Sequence, residues 1–181
     1  MLHDGEFTMT HQELAQQIYK VAHLKGDFLL RSGQRSHEYF DKYRFESQPE
    51  ILREIGQQLV NLIPPETEIL AALEMGGIPI GTALSLASGL PCVFVRKEAK
   101  DYGTCQFAEG LEIKDKRVCV IEDVITSGGQ VLLSTADLRK LGARIENVIC
   151  VIDRGGDKAR QKLQEAELNL ISLFTRADFP G

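Results

Sequence analysis

The sequence contains no tryptophan, and aromatic residues make up only 7% of it. It also lacks any apolar run of the roughly 18 residues that a membrane span requires, so we expect no membrane-spanning segment. The opening letters, MLHDGEFTMT, have neither the basic nor the apolar region of a signal peptide. Net positive charge is absent too: the formal charge is −5, which argues against a general nucleic-acid-binding protein. An anionic substrate remains compatible with this charge, because a local basic patch can exist on an acidic protein.

Cysteine is sparse, and its spacing excludes the usual metal and redox motifs. The four cysteines form no CxxC pair and have no histidine at metal-ligand spacing; they are Cys92, Cys105, Cys119 and Cys150. Cys119 and Cys150 lie inside apolar runs, where a buried free thiol is the usual outcome. We therefore expect a reducing, cytoplasmic setting.

Short apolar segments alternating with helical patterns dominate the rest of the chain. This alternation predicts an α/β fold with a mainly parallel sheet covered by helices on both faces. Residues 1–9 are expected to be a disordered tail, although Met9 could begin the folded part, and residues 10–181 to be a single domain. Helices are predicted from Thr10 to about Gly26, from Pro49 to Ile63, from Ile78 to Gly89 and from about Gly129 to Leu141. Strands are predicted at Glu68–Met75, Pro91–Val95, Lys116–Asp123, Arg144–Asp153 and Glu167–Phe174.

One long segment, RKEAKDYGTCQFAEGLEIKD, interrupts this alternation. It begins with the cations Arg96, Lys97 and Lys100 and has weak periodicity. A loop of this length is often a functional lid, although most charge runs of this kind are solvated hairpins.

The stretch VCVIEDVITSGGQ carries the clearest chemistry. Its apolar run ends on Glu122 and Asp123 and continues into Thr126, Ser127 and two glycines before a predicted helix. Ligands of parallel sheets bind beyond the carboxyl ends of the strands, and free N–H groups at a helix start bind anions. Two acids beside such a phosphate cradle need a neutral or cationic partner, such as sugar hydroxyls or Mg²⁺. The inferred ligand is a ribose phosphate; the alternative is that the acids only cap the helix or form surface pairs.

This stretch resembles the phosphoribosyl pyrophosphate (PRPP) signature of type I phosphoribosyltransferases. The segments RSGQRSHEYFD, RKEAKDYG and VIDRGG further resemble the orotate phosphoribosyltransferase family. The resemblance implies the type I phosphoribosyltransferase fold, a central sheet with a small N-terminal hood. It also implies transfer of the phosphoribosyl group from PRPP to orotate, giving orotidine 5′-monophosphate and pyrophosphate, a step of pyrimidine biosynthesis.

The resemblance implies specific roles for residues of this chain. Glu122 and Asp123 would hold the ribose hydroxyls, while Arg96, Lys97 and Lys100 would close over pyrophosphate and, with Asp123, form the catalytic set. The remaining implied PRPP contacts are Tyr102, Val124, Ile125, Thr126, Ser127, Gly128, Gly129 and Gln130, together with the loop Glu74, Met75, Gly76 and Gly77. The implied orotate contacts are Thr126, Arg154, Arg31, Tyr39 and Phe40; without the resemblance, Tyr39 and Phe40 would be assigned to the core and Arg154 to a surface ion pair.

The resemblance also implies Mg²⁺ and a homodimer whose active sites are shared. The ion would be held mainly by the substrate's pyrophosphate and ribose hydroxyls, and Asp123 could contact it through water. Three positions depart from the family pattern: Arg31 replaces a frequent Lys, Tyr102 replaces a frequent His, and Gly76 replaces a Lys found in some members. The alternatives are transfer to another base, such as a purine, and a PRPP-binding regulator without catalysis.

Overall fold

The computed structural model describes residues 9–30, 33–98 and 107–180. Its first helix follows the capping pattern of the sequence. Helix α1 (His11–Ala22) begins after Thr10, whose hydroxyl accepts from the Glu13 N–H at 3.3 Å, while Glu13 Oε2 accepts from the Thr10 N–H at 2.8 Å. This reciprocal capping confirms the predicted start. The helix ends before the predicted Gly26, because the chain from His23 onward pairs as a strand.

A two-stranded antiparallel sheet follows, which we call the hood. It consists of β1 (His23–Leu29) and β2 (Arg35–Phe40). A short helix that the sequence did not reveal, α2 (Lys42–Glu46), is capped by the side chain of Asp41. Helix α3 (Pro49–Val60) then begins on the predicted proline. The hood and α2 together bring residues 39–46 against the rest of the molecule.

The central sheet has six strands in the order β5-β4-β3-β6-β7-β8. Its strands are β3 (Ile69–Leu73), β4 (Cys92–Val95), β5 (Ala108–Glu109), β6 (Arg117–Ile125), β7 (Arg144–Asp153) and β8 (Asn169–Thr175). All neighbouring pairs are parallel except β4 with β5, so the predicted mainly parallel sheet is confirmed. The connecting helices are α4 (Gly77–Ser88), α5 (Gly129–Lys140) and α6 (Gly156–Glu165).

Apolar side chains fill both faces of this sheet. On one face, Val120 and Val148 pack in a cluster with Leu138 of α5 and Leu163 of α6. On the other face, β-strand residues pack in a cluster with the helices α1, α3 and α4, represented by Ile18, Ile55 and Leu84. Burial on both faces explains why the strands appear in the sequence as nearly continuous apolar runs.

Several predicted features can be compared with this structure. Strand β6 continues two residues past the predicted end at Asp123, because Val124 and Ile125 still pair with β7. Cys119 and Cys150 are buried free thiols, as expected, and Cys92 is also free. Of the predicted tail, Met9 is tied to α3 by a 3.0 Å bond from its N–H to Glu54 Oε2, while residues 1–8 lie outside the described ranges. None of the helices in the described ranges is long and apolar enough to span a membrane.

Candidate active site

The predicted site residues lie where the parallel strands end. Strand β3 leads into Glu74, β4 into Arg96, β6 into Thr126 and β7 into Arg154. Because the parallel strands run in the same direction, these four ends form one edge of the sheet. This is the edge at which ligands of such sheets bind.

The turn after β6 is the segment for which the sequence predicts a phosphate cradle. Gly128 has φ +69°, a left-handed conformation that favours glycine, and α5 starts at the next residue. Its first N–H groups, at the positive end of the helix dipole, lack intrahelical partners and can therefore bind an anion. The neighbouring turn packs tightly against this one: a Cβ on Gly155 would lie 1.9 Å from the Thr126 carbonyl oxygen. The two turns therefore hold each other's backbone in place.

The two acids of the signature occupy different environments. Asp123 is fully buried, whereas Glu122, on the next position of the strand, is partly exposed. Asp123 Oδ1 accepts from the Val124 N–H at 2.6 Å, and its Oδ2 lies 2.5 Å from Lys42 Nζ. Glu122 Oε1 accepts from the Asp123 N–H at 3.2 Å. The structure thus brings the acid pair together, with Lys42 of α2 as a cation beside it.

A third carboxyl group completes this buried cluster. Glu46, at the other end of α2, is 7% exposed, and its carboxyl lies beside that of Asp123. Burial, together with the interaction with Asp123, raises the pKa of Glu46 to about 9, which favours its protonated form. Burial and the contact with Asp123 likewise raise the pKa of Glu122. Burial opposes ionisation of Asp123, but hydrogen bonds from Glu122, Glu46 and Lys42 lower its pKa, so the negative charge resides on Asp123.

The predicted pyrophosphate loop, Glu74 to Gly77, lies against this cluster. The Glu74–Met75 peptide bond is cis, and Glu74 Oε1 accepts from the Lys97 N–H at 2.6 Å. A Cβ on Gly76 would lie 1.7 Å from Asp123 Oδ2, and one on Gly77 would lie 2.5 Å from the Ile121 carbonyl oxygen. Position 76 therefore has no room for a side chain while Asp123 keeps this position.

The predicted lid is only partly described. Arg96 Nε lies 3.1 Å from Glu109 Oε1, and the Arg96 N–H donates to the Phe107 carbonyl at 2.9 Å, so the start of the segment pairs with its middle. The lid start is thus on the site edge next to Glu74. Lys100 and Tyr102 lie outside the described residues, as does Arg31 of the predicted orotate set.

The predicted orotate residues Tyr39, Phe40 and Arg154 line one cleft of about 320 Å³ between the hood and the sheet edge. The Arg154 guanidinium lies 5.5 Å from the centre of the Phe40 ring. The Arg154 N–H donates to the Ile125 carbonyl at 2.8 Å, which places this cleft directly beside the Thr126 turn. Arg176 also lines the cleft, and burial together with the charge of Arg176 lowers the pKa of Arg154.

Sequence reasoning missed Lys42, Glu46 and Arg176. Lys42 and Glu46 stand four residues apart, the spacing that places side chains on one helical face, but α2 is too short to show an apolar period. Arg176 follows the last strand, at the same sheet edge as Arg154, so the rule that gave Arg154 could have found it.

Comparison with known proteins shows that the fold and the strand-end edge of the sheet belong to a phosphoribosyltransferase domain. The model of the phosphoribosyl transferase domain matches residues 44–172. These residues include the acid pair, the cradle and Arg154, and the sheet around them is the predicted type I phosphoribosyltransferase sheet.

More specific relatives narrow this class. An orotate phosphoribosyltransferase of Nocardioides sp. is 45% identical over 165 residues, covering 91% of this chain and 92% of that protein. One from Methanocella arvoryzae is 38% identical, covering 93% of this chain and 97% of that protein. The crystal structure of the Mycobacterium tuberculosis H37Rv orotate phosphoribosyltransferase in complex with PRPP is 26% identical, with a TM-score of 0.79, and covers 93% of this chain and 97% of that one. The chain belongs to the orotate phosphoribosyltransferase family.

Proposed function

We propose that this chain transfers the 5-phosphoribosyl group of PRPP to N1 of orotate, forming orotidine 5′-monophosphate and releasing pyrophosphate. The observation that carries the proposal is the direct contact of two sites. A phosphate cradle at the end of β6 shares a backbone hydrogen bond with an arginine-bearing aromatic cleft at the end of β7. Such a pair suits a sugar phosphate on one side and a planar anion on the other.

Each part of the edge has a task in this reaction. The turn from Thr126 to Gln130 binds the 5′-phosphate, and Glu122 and Asp123 accept hydrogen bonds from the ribose hydroxyls. Asp123 is fully buried, so this role requires it to exchange its contact with Lys42 or Val124. Pyrophosphate departs toward the Glu74–Gly77 loop and the lid cations. As it departs, positive charge grows on the ribose ring and negative charge on the leaving group, so fixed charges at these places lower the barrier.

Mg²⁺ is part of the proposal, and it would neutralise the departing pyrophosphate. Within the described ranges, no three side chains of the usual ligand types are grouped to hold a metal ion. We propose that oxygens of the substrate supply most ligands of the ion, with Asp123 contacting it through water.

A homodimer with shared active sites is also proposed. The surface of α3 and α4 supports it, because Leu86 is 83% exposed there beside Leu52, Val60 and Pro79. A second copy of this chain is the proposed occupant of that surface. Helix α4 starts at Gly77 of the pyrophosphate loop, so a partner on this surface would lie near the site.

The free thiols of Cys92, Cys119 and Cys150 support a reducing, cytoplasmic location.

The proposed activity is tested by measuring pyrophosphate release from PRPP with orotate, adenine, guanine or uracil as acceptor. We expect release that depends on orotate and on Mg²⁺, with formation of orotidine 5′-monophosphate. Turnover with a purine but not with orotate would establish the alternative acceptor. Normal PRPP binding without transfer to any base would establish the regulator instead.

A further inference from the structure

The cleft beside Arg154 contains a second guanidinium that no contact among the described residues explains. Arg154 and Arg176 both line it, and they are close enough for the charge of Arg176 to act on Arg154. Neither side chain forms an ion pair with an acid in the described part of the chain. Two like charges side by side repel, so their placement favours the binding of an anion between or beside them.

The remaining walls of the cleft fit a flat ligand. Phe40 and Tyr39 of the hood lie on one side, and Phe179, which follows the 3₁₀ turn at Arg176–Asp178, lies on another. Phe179 packs edge-on against Phe40, with ring centres 6.1 Å apart. Glu38 also lines the cleft, but its Oε2 lies 3.3 Å from His23 Nε2, so its charge is directed at that imidazole.

We infer that Arg176 joins Arg154 in holding the carboxylate of the acceptor base, and that Arg176 is therefore a specificity-determining residue of this site. The inference rests on the proposed function, because it assigns the acceptor's carboxylate to this cleft. A guanidinium suits the role, since its planar fork matches a carboxylate and stacks on aromatic rings. Two cations also favour a base that carries a carboxylate over an otherwise identical neutral base.

The test replaces Arg176 by Gln and by Lys and measures steady-state kinetics with orotate and PRPP. For Arg176→Gln we expect the KM for orotate to rise about tenfold or more, as for the loss of one charge-assisted hydrogen bond. The KM for PRPP and kcat should change less than about twofold, because PRPP binds at the neighbouring turn. The KM for orotate of Arg176→Lys should fall between those of the parent protein and Arg176→Gln, because lysine keeps the positive charge but lacks the planar fork of the guanidinium.

Arg144→Gln is the matched control. Arg144 is an exposed arginine at the opposite end of β7, so its replacement removes the same charge from the same sheet at a distance from the cleft. It should leave the KM for orotate unchanged. Thermal melting of each variant checks that the fold is intact, and we expect it to be, because Arg176 is exposed and makes no side-chain bond in the described ranges.

Discrimination between bases gives an independent readout. The ratio of kcat/KM for orotate to that for uracil should fall about tenfold in Arg176→Gln. Orotate loses the contact between its carboxylate and Arg176, whereas uracil has no carboxylate and loses no such contact. An unchanged ratio and an unchanged KM for orotate in a folded Arg176→Gln protein would overturn the inference. If the unsubstituted protein transferred nothing to orotate, the proposed function itself would fail, which is a different result.

Discussion

At the scale of single residues, Asp123 shows what the pattern of the sequence could and could not reveal. The motif predicts that Asp123 lies at a ribose-binding edge, and the structure places it near the carboxyl end of β6. Its burial and its bond to Lys42 were not predictable, because both depend on how a five-residue helix returns to the sheet. Its role toward the ribose remains a prediction.

The raised pKa of Glu46 has a measurable consequence for stability. Glu46 has a pKa of about 9 in the folded chain against 4.5 for a free side chain. Between these values the unfolded chain ionises Glu46 and the folded chain does not, so this group makes the protein less stable as pH rises. In Glu46→Gln, which keeps a donor but cannot ionise, the gain in Tm over the parent should therefore increase from pH 6 to pH 9.

These melts are measured without substrate or metal. Glu50→Gln, at an exposed position of α3, controls for the loss of one negative charge. Glu46→Ala should instead lower the free energy of unfolding by about 1–3 kcal/mol, because it removes the donor to buried Asp123. Parallel Tm curves for the parent and Glu46→Gln across this pH range would contradict the raised pKa of Glu46.

At the scale of elements, periodicity predicted what is long and buried. Strands β3, β4, β6, β7 and β8 and helices α1, α3, α4 and α5 all correspond to predicted segments. Strand β5 and helices α2 and α6 were not predicted. Strand β5 and helix α2 are too short to show a period, and the ten-residue helix α6 buries only Ala159 and Leu163. The prediction that strand β6 ends at Asp123 was wrong by two residues. Val124 and Ile125 still pair with β7, so the charged side chains do not end the strand.

The contact between the β6–α5 and β7–α6 turns predicts the effect of one methyl group. A Cβ on Gly155 meets the Thr126 carbonyl at 1.9 Å, so Gly155→Ala must move the phosphate cradle. We expect the KM for PRPP to rise by about tenfold to a hundredfold, as for an ångström-scale displacement of a binding group. Steady-state kinetics with varied PRPP measures this effect.

Gly156→Ala is the matched control for this change. Gly156 has φ +56° and no atom within 4 Å of the added Cβ, so its replacement costs about 1 kcal/mol of backbone strain without pushing on Thr126. It should lower Tm slightly and leave the KM for PRPP unchanged. A similar rise in KM for both variants would mean that backbone strain, and not the contact with Thr126, sets the position of the cradle.

At the scale of the whole molecule, alternating strands and helices predicted the parallel sheet, because few other folds bury such apolar strands on both faces. The order of the strands was not predicted, since it depends on long-range pairing that no local pattern records. The assembly of two chains also lies beyond local pattern and rests here on the shared-site proposal.

Mixed dimers test whether the lid of one chain serves the site of the other. Lys100→Ala and Asp123→Ala should each be nearly inactive alone. After an equal mixture has exchanged subunits, half of the dimers are mixed and each has one intact site, so about a quarter of the activity should return. Activity is measured after native mass spectrometry has shown that mixed dimers have formed.

The control mixes Asp123→Ala with the double variant carrying both substitutions, in which no site has an intact acid pair. It should stay inactive. If the first mixture recovers no activity although mixed dimers are present, each lid closes over the site of its own chain.

The missing side chain at position 76 has a consequence for how related sequences can vary. Asp123 Oδ2 fills the space where a Cβ would stand, and Lys42 and Glu46 hold Asp123 in that space. Positions 42, 46, 76 and 123 therefore share one small volume and one charge balance. A relative with a lysine at position 76 would bring a second cation into this volume, so the residues at positions 42 and 46 would have to change with it. We therefore expect substitutions at these four positions to be coupled, although two of them lie on a helix too short to be recognised in the sequence.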